Sequence, residues 1–159
     1  ALPKAMAVGY SGAEGAANLV WDPRTGVFAY TVANLVVLED LATREQRHLA
    51  GHHADATCLA LSVSAGLLAS AGLGGEILLW EVATGALAGT LLQHAEAVVA
   101  LAFSPDGRRL VSLGADASEA VVVWSVRHAE AVAVASCPAP MHSIVWRPEA
   151  ALAGFVTAS

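Results

Sequence analysis

Two sets of residues in this sequence have side chains that could carry out chemistry. His94, Ser104 and Asp106 supply the residue types of a base, a nucleophile and an orienting carboxylate. His94, Glu96 and Cys137 supply the residue types of zinc ligands and of a general base. Each set has to be weighed against a plain structural role before an activity is inferred.

A structural role explains these sets better. Residues 104–107 read Ser-Pro-Asp-Gly, an ordinary tight turn, and the zinc set lacks a Cys-x-x-Cys pair. Residues 72–75, Gly-Leu-Gly-Gly, could cradle a phosphate, but no Lys-Ser or Lys-Thr follows and no helix is predicted there. His52 and His53 are adjacent, so on a strand they point to opposite faces and not to one metal. The sequence therefore predicts no enzyme, no metal site and no cofactor.

The elements that position these residues form a repeat. Residues 51–81 and 93–125 share one order: a polar segment with histidine, an apolar run, a tight turn, and two further runs that end near tryptophan. Their histidines, His52 and His94, lie 42 residues apart, and their closing tryptophans lie 44 residues apart. Short strands repeated at this period favour a β-propeller, in which each repeat is one four-stranded antiparallel blade.

The repeat divides the chain into five segments. Residues 1–17 are predicted as a tail with a candidate isolated strand at 5–10, 18–50 as blade 1, 51–92 as blade 2, 93–138 as blade 3, and 139–159 as part of blade 4. The fold class is thus all-β, with three blades and part of a fourth. The predicted strands are 18–21, 27–32, 35–40, 46–49, 57–62, 67–71, 76–81, 86–91, 98–103, 109–113, 120–125, 131–135, 142–146 and 153–158.

The third strand of each repeat is almost continuously apolar, at 35–38, 77–80 and 121–124. Such a strand is buried on both faces, as in a blade packed between two neighbours. Aromatic residues also recur at matched positions, and we expect them to lie in the core and not in a ligand site. These aromatic residues are Trp21, Trp80, Phe103, Trp124 and Trp146.

Composition limits the partners. The net charge of −6 and the pI near 5.4 argue against a nucleic-acid binder. Residues 56–75 carry no charge, but a turn at 62–66 splits this stretch into two short apolar blocks, so no membrane span is expected. Cys58 is predicted to be a buried apolar residue, and two cysteines form no disulfide framework, which suits an intracellular compartment.

Gly51-His52 followed by Trp80-Glu81 resembles the Gly-His…Trp-Asp unit of WD-repeat proteins. Residues 101–114, LAFSPDGRRLVSLG, are similar to the most common sequence segment of that family. The resemblance covers nearly the whole chain from Asn18 and implies a propeller. A closed ring of seven blades needs roughly 290 residues, so this chain is expected to form an open piece of one.

The resemblance also implies a buried hydrogen-bonded set in each blade. Its matching residues are His52, Ser70 and Trp80 in blade 2, and His94, Ser112 and Trp124 in blade 3. The family's aspartate, six residues before each tryptophan, is replaced by Gly74 and by Ser118, so each histidine is expected to need another partner. In blade 1, Glu39 occupies the position of the tryptophan, which puts the packing of that blade in doubt.

Residues 9–12 (GYSG) and 18–52 resemble the opening of the tandem-propeller WD-repeat proteins of centrioles and ciliary axonemes. The sequences VSLG at 111–114 and VVVWS at 121–125 are similar to the same group. This narrower likeness implies a structural protein of the cytoskeleton, at a centriole, basal body or axoneme, that associates with microtubule walls.

The expected partners are tubulin and other scaffold proteins, with no nucleic acid, membrane or small-molecule ligand. Arg108 and Arg109 are candidate partner contacts, although a solvated turn is the more common role for such residues. The alternative function is a general WD-repeat adaptor, such as a substrate receptor of a ubiquitin ligase or a signalling scaffold.

Overall fold

The computed structural model describes residues 18–116, 121–136, 141, 143–146 and 155–158. These residues form strands and no helix. The tail and the strand expected at 5–10, together with Ser118 and Cys137, lie outside the described residues. The strands are β1 (Leu19–Trp21), β2 (Val27–Val32), β3 (Leu35–Asp40), β4 (Gln46–Ala50), β5 (Ala56–Ser62), β6 (Leu67–Gly72), β7 (Ile77–Glu81), β8 (Leu87–Leu91), β9 (Val98–Phe103), β10 (Arg109–Gly114), β11 (Val121–Ser125), β12 (Glu130–Ala135), β13 (Ser143–Trp146) and β14 (Phe155–Ala158).

Twelve of these strands build three sheets of four. Sheet 1 contains β1 to β4, sheet 2 contains β5 to β8 and sheet 3 contains β9 to β12, each in sequence order and antiparallel throughout. Strands β13 and β14 form a further antiparallel pair. The predicted fold class is therefore confirmed. The three sheets fall within the expected segments 18–50, 51–92 and 93–138, whose limits as blades stay predictions.

An antiparallel meander places its connections alternately at two ends. The turn end carries the short turns that join the first strand of a sheet to the second and the third to the fourth. Backbone bonds tie these turns together, as from Leu41 N–H to the Gly26 carbonyl and from Val126 N–H to the Arg108 carbonyl. The crossover end carries the links from second to third strands and the links between sheets.

Sheet 2 is covered on both faces, as its third strand predicts. Ile77 and Leu79 of β7 point into a core shared with sheet 3, while Leu78 and Trp80 point into a core shared with sheet 1. Strand β11 behaves alike, with Val122 directed at sheet 2 and Val121 directed at Trp146 and β13. This alternation explains why both strands are apolar at consecutive positions.

The expectation that the repeated aromatic residues all lie in the core is wrong for Trp21. Its exposed fraction is 57%, whereas Trp80, Trp124 and Trp146 are buried and Phe103 is half-buried. Val20 packs with sheet 2, so Trp21, the next residue of β1, points to the opposite face of sheet 1. Equivalent positions in a repeat share a direction, but they share burial only where a neighbouring sheet covers that face.

The uncharged residues 56–75 form the antiparallel pair β5 and β6. The described part of the chain contains no helix long and apolar enough to cross a membrane. Cys58 is fully buried within β5, as predicted, and burial raises the pKa of its thiol to about 12. The thiol therefore stays protonated and acts as a small apolar residue.

Neighbouring turns interlock at the turn end. Gly107, in the turn after β9, has a φ of +70°, and a Cβ there would lie 2.6 Å from both Ala65 Cβ and Ser62 Oγ of the turn after β5. Gly66 has a similar φ of +65°, but nothing lies within 4 Å of the position that a Cβ would take there. The two glycines share a backbone constraint and differ in available space.

Replacing each glycine by alanine separates these two effects. Gly66→Ala should lower the free energy of unfolding by about 1–2 kcal/mol, the cost of a left-handed alanine. Gly107→Ala should cost about 1–3 kcal/mol more, because its methyl group overpacks the contact between sheets 2 and 3. Urea unfolding of the two variants measures the difference, and equal losses would contradict the interlocked turns.

Candidate functional site

A chain of hydrogen bonds crosses the interior of sheet 2. The indole N–H of Trp80 donates to Ser70 Oγ at 2.8 Å, and Ser70 Oγ lies 2.7 Å from His52 Nε2. The Glu76 carboxylate beside His52 Nδ1 can only accept, so the serine hydroxyl directs its hydrogen to the other imidazole nitrogen. His52 Nε2 is then the acceptor and Nδ1 carries the proton. The residues predicted from the blade motif are thus joined in one directional chain.

Glu76 completes this chain at the crossover end. Its Oε1 lies 3.2 Å from His52 Nδ1 and accepts the backbone N–H of His53, also at 3.2 Å. The family's aspartate would stand at Gly74, where a Cβ would come within 2.8 Å of Glu76 Oε2. The missing side chain at 74 thus leaves the space that the carboxylate from 76 occupies. Sequence reasoning missed Glu76, and its only signal was an acid two residues beyond the expected position.

Burial and pairing set the charges of this pair. Desolvation lowers the pKa of His52, and the nearby Glu76 carboxylate only partly opposes that effect. Desolvation of Glu76 acts to raise its pKa, but the hydrogen bonds from His53 N–H and from His52 outweigh it and hold that pKa below its usual value. The resting pair is therefore a neutral imidazole beside a carboxylate. The side chain of His53 is 92% exposed, yet its Nδ1 lies 3.9 Å from the same Glu76 Oε1. Residues 52 and 53 lie between β4 and β5, so the argument that they point to opposite faces of a strand does not apply.

Sheet 3 repeats the inner part of this chain. The indole N–H of Trp124 donates to Ser112 Oγ at 2.8 Å, and Ser112 Oγ lies 2.6 Å from His94 Nε2. Gly114 lies against the His94 ring, where any Cβ would collide with Nδ1. The geometry brings together both predicted residue sets, while their role as structural blade motifs stays a prediction.

Glu39 replaces the tryptophan in sheet 1 and is also buried. Its exposed fraction is 2%, and its Oε2 accepts from Gln46 Nε2 at 2.8 Å and lies 3.5 Å from the Tyr30 hydroxyl. Arg44 Nε approaches Oε1 at 3.6 Å. Desolvation and the Glu39 charge together raise the pKa of Tyr30, so the phenol stays protonated as the donor. A polar cluster thus fills the position that an indole fills in sheets 2 and 3.

The turn that carries Arg108 and Arg109 is held by its own side chains. Ser104 Oγ donates to Asp106 Oδ1 at 2.6 Å and accepts the Arg109 N–H at 2.9 Å, while the Arg108 N–H donates to Asp106 at 3.0 Å. These bonds lower the pKa of Asp106. The side chain of Arg108 is 86% exposed, and Arg109 is exposed as well.

The candidate catalytic sets are not assembled. Ser104 and Asp106 lie at the turn end of sheet 3, whereas His94 lies at the crossover end against Ser112. Among the described residues, no three His, Cys, Asp or Glu side chains are grouped so that they could hold a metal ion. Residues 73–76 connect β6 to β7, so the Gly-Leu-Gly-Gly segment runs from the end of one strand towards the next and opens no helix.

The sheets, their order and the buried His-Ser-Trp chains define a class of protein. Residues 43–81 and 85–125 match the family described as "WD domain, G-beta repeat". The chain therefore belongs to the WD-repeat family, whose propellers mediate protein–protein interaction and are generally not enzymes. A chain of the crystal structure of the mitotic checkpoint complex superposes with a TM-score of 0.72 at 26% identity, over 82% of this chain and 40% of that one.

Individual relatives are similar over most of the chain. WD repeat-containing protein 90 of Homo sapiens is 42% identical over 89% of the chain, and centriole proteome protein 16 of Chlamydomonas reinhardtii is 38% identical over 75%. Cilia- and flagella-associated protein 52 of Homo sapiens is 36% identical over 65%. The chain spans only 8%, 7% and 17% of the length of these relatives. The resemblance read from the residues is thereby confirmed.

Removal of the shared serine hydroxyl tests the hydrogen-bonded chain in sheet 2. Ser70→Ala should lower the free energy of unfolding by about 2–4 kcal/mol, because the buried Trp80 N–H loses its acceptor and His52 loses a partner. Ser64→Ala is the matched control, since Ser64 is exposed and its hydroxyl bonds to the Pro105 carbonyl and to Ser62 Oγ at the protein surface. That control should change stability by about 0.5 kcal/mol or less. Equal effects in chemical denaturation would contradict the role of Ser70.

The His52–Glu76 pair predicts a loss of stability in acid. Because the pKa of His52 is lowered in the folded protein, the unfolded chain binds this proton more tightly. The contribution of neutral His52 to the free energy of unfolding is therefore complete above pH 6.5 and falls as the pH drops below that value. The loss can reach about 1.4 kcal/mol per pH unit for one proton. Glu76, whose pKa is also lowered in the folded protein, adds to this loss of stability below pH 4.5, its ordinary pKa.

Unfolding free energies measured across neutral to mildly acidic pH test this dependence. His52→Gln should flatten the curve relative to the natural chain. His53→Gln removes an exposed histidine 3.9 Å from the same carboxylate and should change the slope less than His52→Gln does. A slope retained in His52→Gln would assign the pH dependence to another group.

Proposed function

We propose that this chain is part of a non-enzymatic structural protein of the centriole or ciliary axoneme that associates with microtubule walls. The observation that carries the proposal is the likeness to WD repeat-containing protein 90 and to centriole proteome protein 16, over 89% and 75% of the chain. Since the chain spans less than a tenth of either relative, the partners of the whole protein are part of the proposal. They are tubulin and other scaffold proteins.

The structure suits a rigid spacer with exposed ends. Interior sheet faces are occupied by neighbouring sheets, so contact with a partner falls to the turns and the sheet edges. Arg108 and Arg109 stand on such a turn and are the proposed contacts with an acidic protein surface. The net charge of −6 gives no general attraction to an acidic filament, so these contacts have to act locally.

The second candidate is a general WD-repeat adaptor, with ubiquitin-ligase receptors and signalling scaffolds as examples. It is favoured by the 0.72 TM-score with a chain of the mitotic checkpoint complex, which is a multiprotein assembly. The two candidates differ in where the protein resides and in what it sediments with.

Localisation and co-sedimentation separate the two candidates. The structural role predicts that the tagged protein concentrates at centrioles, basal bodies or axonemes and pellets with microtubules. Pelleting should weaken as the salt concentration rises, because salt screens a contact made by exposed charges. It should also weaken in the double variant Arg108→Glu/Arg109→Glu, because that variant reverses two of the charges. The control is an unrelated WD-repeat propeller. A diffuse cytosolic signal with pelleting no greater than that control would favour the adaptor.

A further inference from the structure

The first turns of the three sheets enclose a groove. It has a volume of about 540 Å³ and is lined by the turn after β1, by the end of β5 with its turn, and by the end of β9 with its turn. Its floor is apolar, with half-buried Leu61, Val63 and Phe103. This volume falls within the range of about 300–1,000 Å³ that is typical of ligand sites. Because the three turns lie some forty residues apart in sequence, the groove exists only in the stacked sheets.

A small apolar pocket deepens the groove between sheets 1 and 2. Its volume is about 40 Å³, and it shares Asp22, Leu61, Ser62 and Val63 with the groove. Most of its remaining lining is aliphatic, including Val27, Leu38 and Val82. A bound water needs two to four polar partners, so this lining suits an aliphatic side chain better than a water.

The charged groups beside the groove present their cations outward. Asp22 accepts the Arg24 N–H and the Thr25 hydroxyl, and its side chain is only 12% exposed. Arg24, at the rim, is 70% exposed, and its Nε lies 3.7 Å from Asp22. A guanidinium has five N–H donors, so one such contact leaves donors for a partner. On the opposite side of the groove, Arg108 is 86% exposed and Asp106 is 59% exposed.

The distribution of charged residues differs between the two ends of the sheets. All six arginines of the described residues lie at the turn end, whereas the described acids of the crossover end are Asp55, Glu76, Glu96 and Asp116. The turn end also carries seven described acids, which are Asp22, Glu39, Asp40, Glu45, Glu81, Asp106 and Glu130. Of these, Asp22, Asp40 and Asp106 accept backbone N–H groups of their own turns. The turn end therefore has no net positive charge, but among the described residues it alone offers exposed guanidinium groups with which an anionic group can pair locally.

We propose that this groove binds an extended acidic peptide of a partner protein. One aliphatic side chain of the peptide enters the pocket between sheets 1 and 2. Carboxylates on either side of it pair with Arg24 and with Arg108. The inference does not depend on the location of the protein, since it concerns the chemistry of one surface.

Fluorescence anisotropy with a labelled probe peptide tests the proposal on the 159-residue chain. The probe is a run of glutamates with one central leucine. It should bind, and its affinity should fall when glutamine replaces the glutamates, when alanine replaces the leucine, and when salt is raised. The changes in the peptide test charge and anchor separately without disturbing the protein.

Protein variants then locate the contact. Arg24→Gln or Arg108→Gln should each weaken binding about two- to fivefold, and the pair, on opposite sides of the groove, about four- to twenty-five-fold. Arg127→Gln is the matched control, an exposed arginine in the turn after β11, which follows the turn of Arg108 along sheet 3 and so lies farther from the groove. It removes the same charge and should weaken binding less than Arg24→Gln or Arg108→Gln does.

Three outcomes would overturn the proposal. One is the absence of probe binding. Another is that the peptides with glutamine or alanine substitutions bind with the same affinity as the original probe. The third is a loss in Arg127→Gln as large as in Arg24→Gln, which would assign the binding to the general charge of the protein. None of these outcomes decides whether the protein resides at a centriole, so the two proposals can fail independently.

Discussion

The structure depends on the need to cover both faces of a sheet whose third strand is apolar at four consecutive positions. In β7, Ile77 and Leu79 require one neighbour while Leu78 and Trp80 require another, and sheets 3 and 1 meet these needs. Small residues such as Ala60, Ala69 and Ala71 line the contact with sheet 3 and allow a close approach. Since stacking uses the faces, turns and edges are what remain for a partner. The location of any interaction site follows from the burial of β7 and β11.

The hydrogen-bonded chain in sheet 2 shows that the acceptor for a buried histidine can be supplied by a residue at a different sequence position. The imidazole of His52 needs an acceptor for its second nitrogen, because a buried donor without one is costly. In the family pattern that acceptor comes from the position of Gly74. Here it comes from Glu76, whose longer side chain reaches back into the space above that glycine. The loss at one position and the gain at the other are thus coupled by sterics as well as by the hydrogen bond.

The sequence predicts the strands well because their apolar runs and turn residues are local signals, and most predicted limits lie within one residue of the observed ones. The two His-Ser-Trp sets follow from the repeat, and their contacts are found. Trp21 and Glu76 are different. The burial of Trp21 depends on which sheet covers a face, and the contact of Glu76 depends on a side chain reaching across a loop. The groove was also missed, because its three turns meet only after stacking, and no pattern within a single repeat encodes it.

The charge of the whole chain is a poor guide to the charge that a partner would meet. The net charge is −6, yet Asp22, Asp40 and Asp106 at the turn end are directed into their own turns as acceptors. The Arg24 N–H lowers the pKa of Asp22, and the Ser104 hydroxyl and the Arg108 N–H lower the pKa of Asp106, so both carboxylates keep their negative charge. Arg24 and Arg108 of the same turns are nevertheless 70% and 86% exposed, and each has donors left for a partner. A turn that uses an acid to hold its backbone can therefore still offer its basic side chain to a partner.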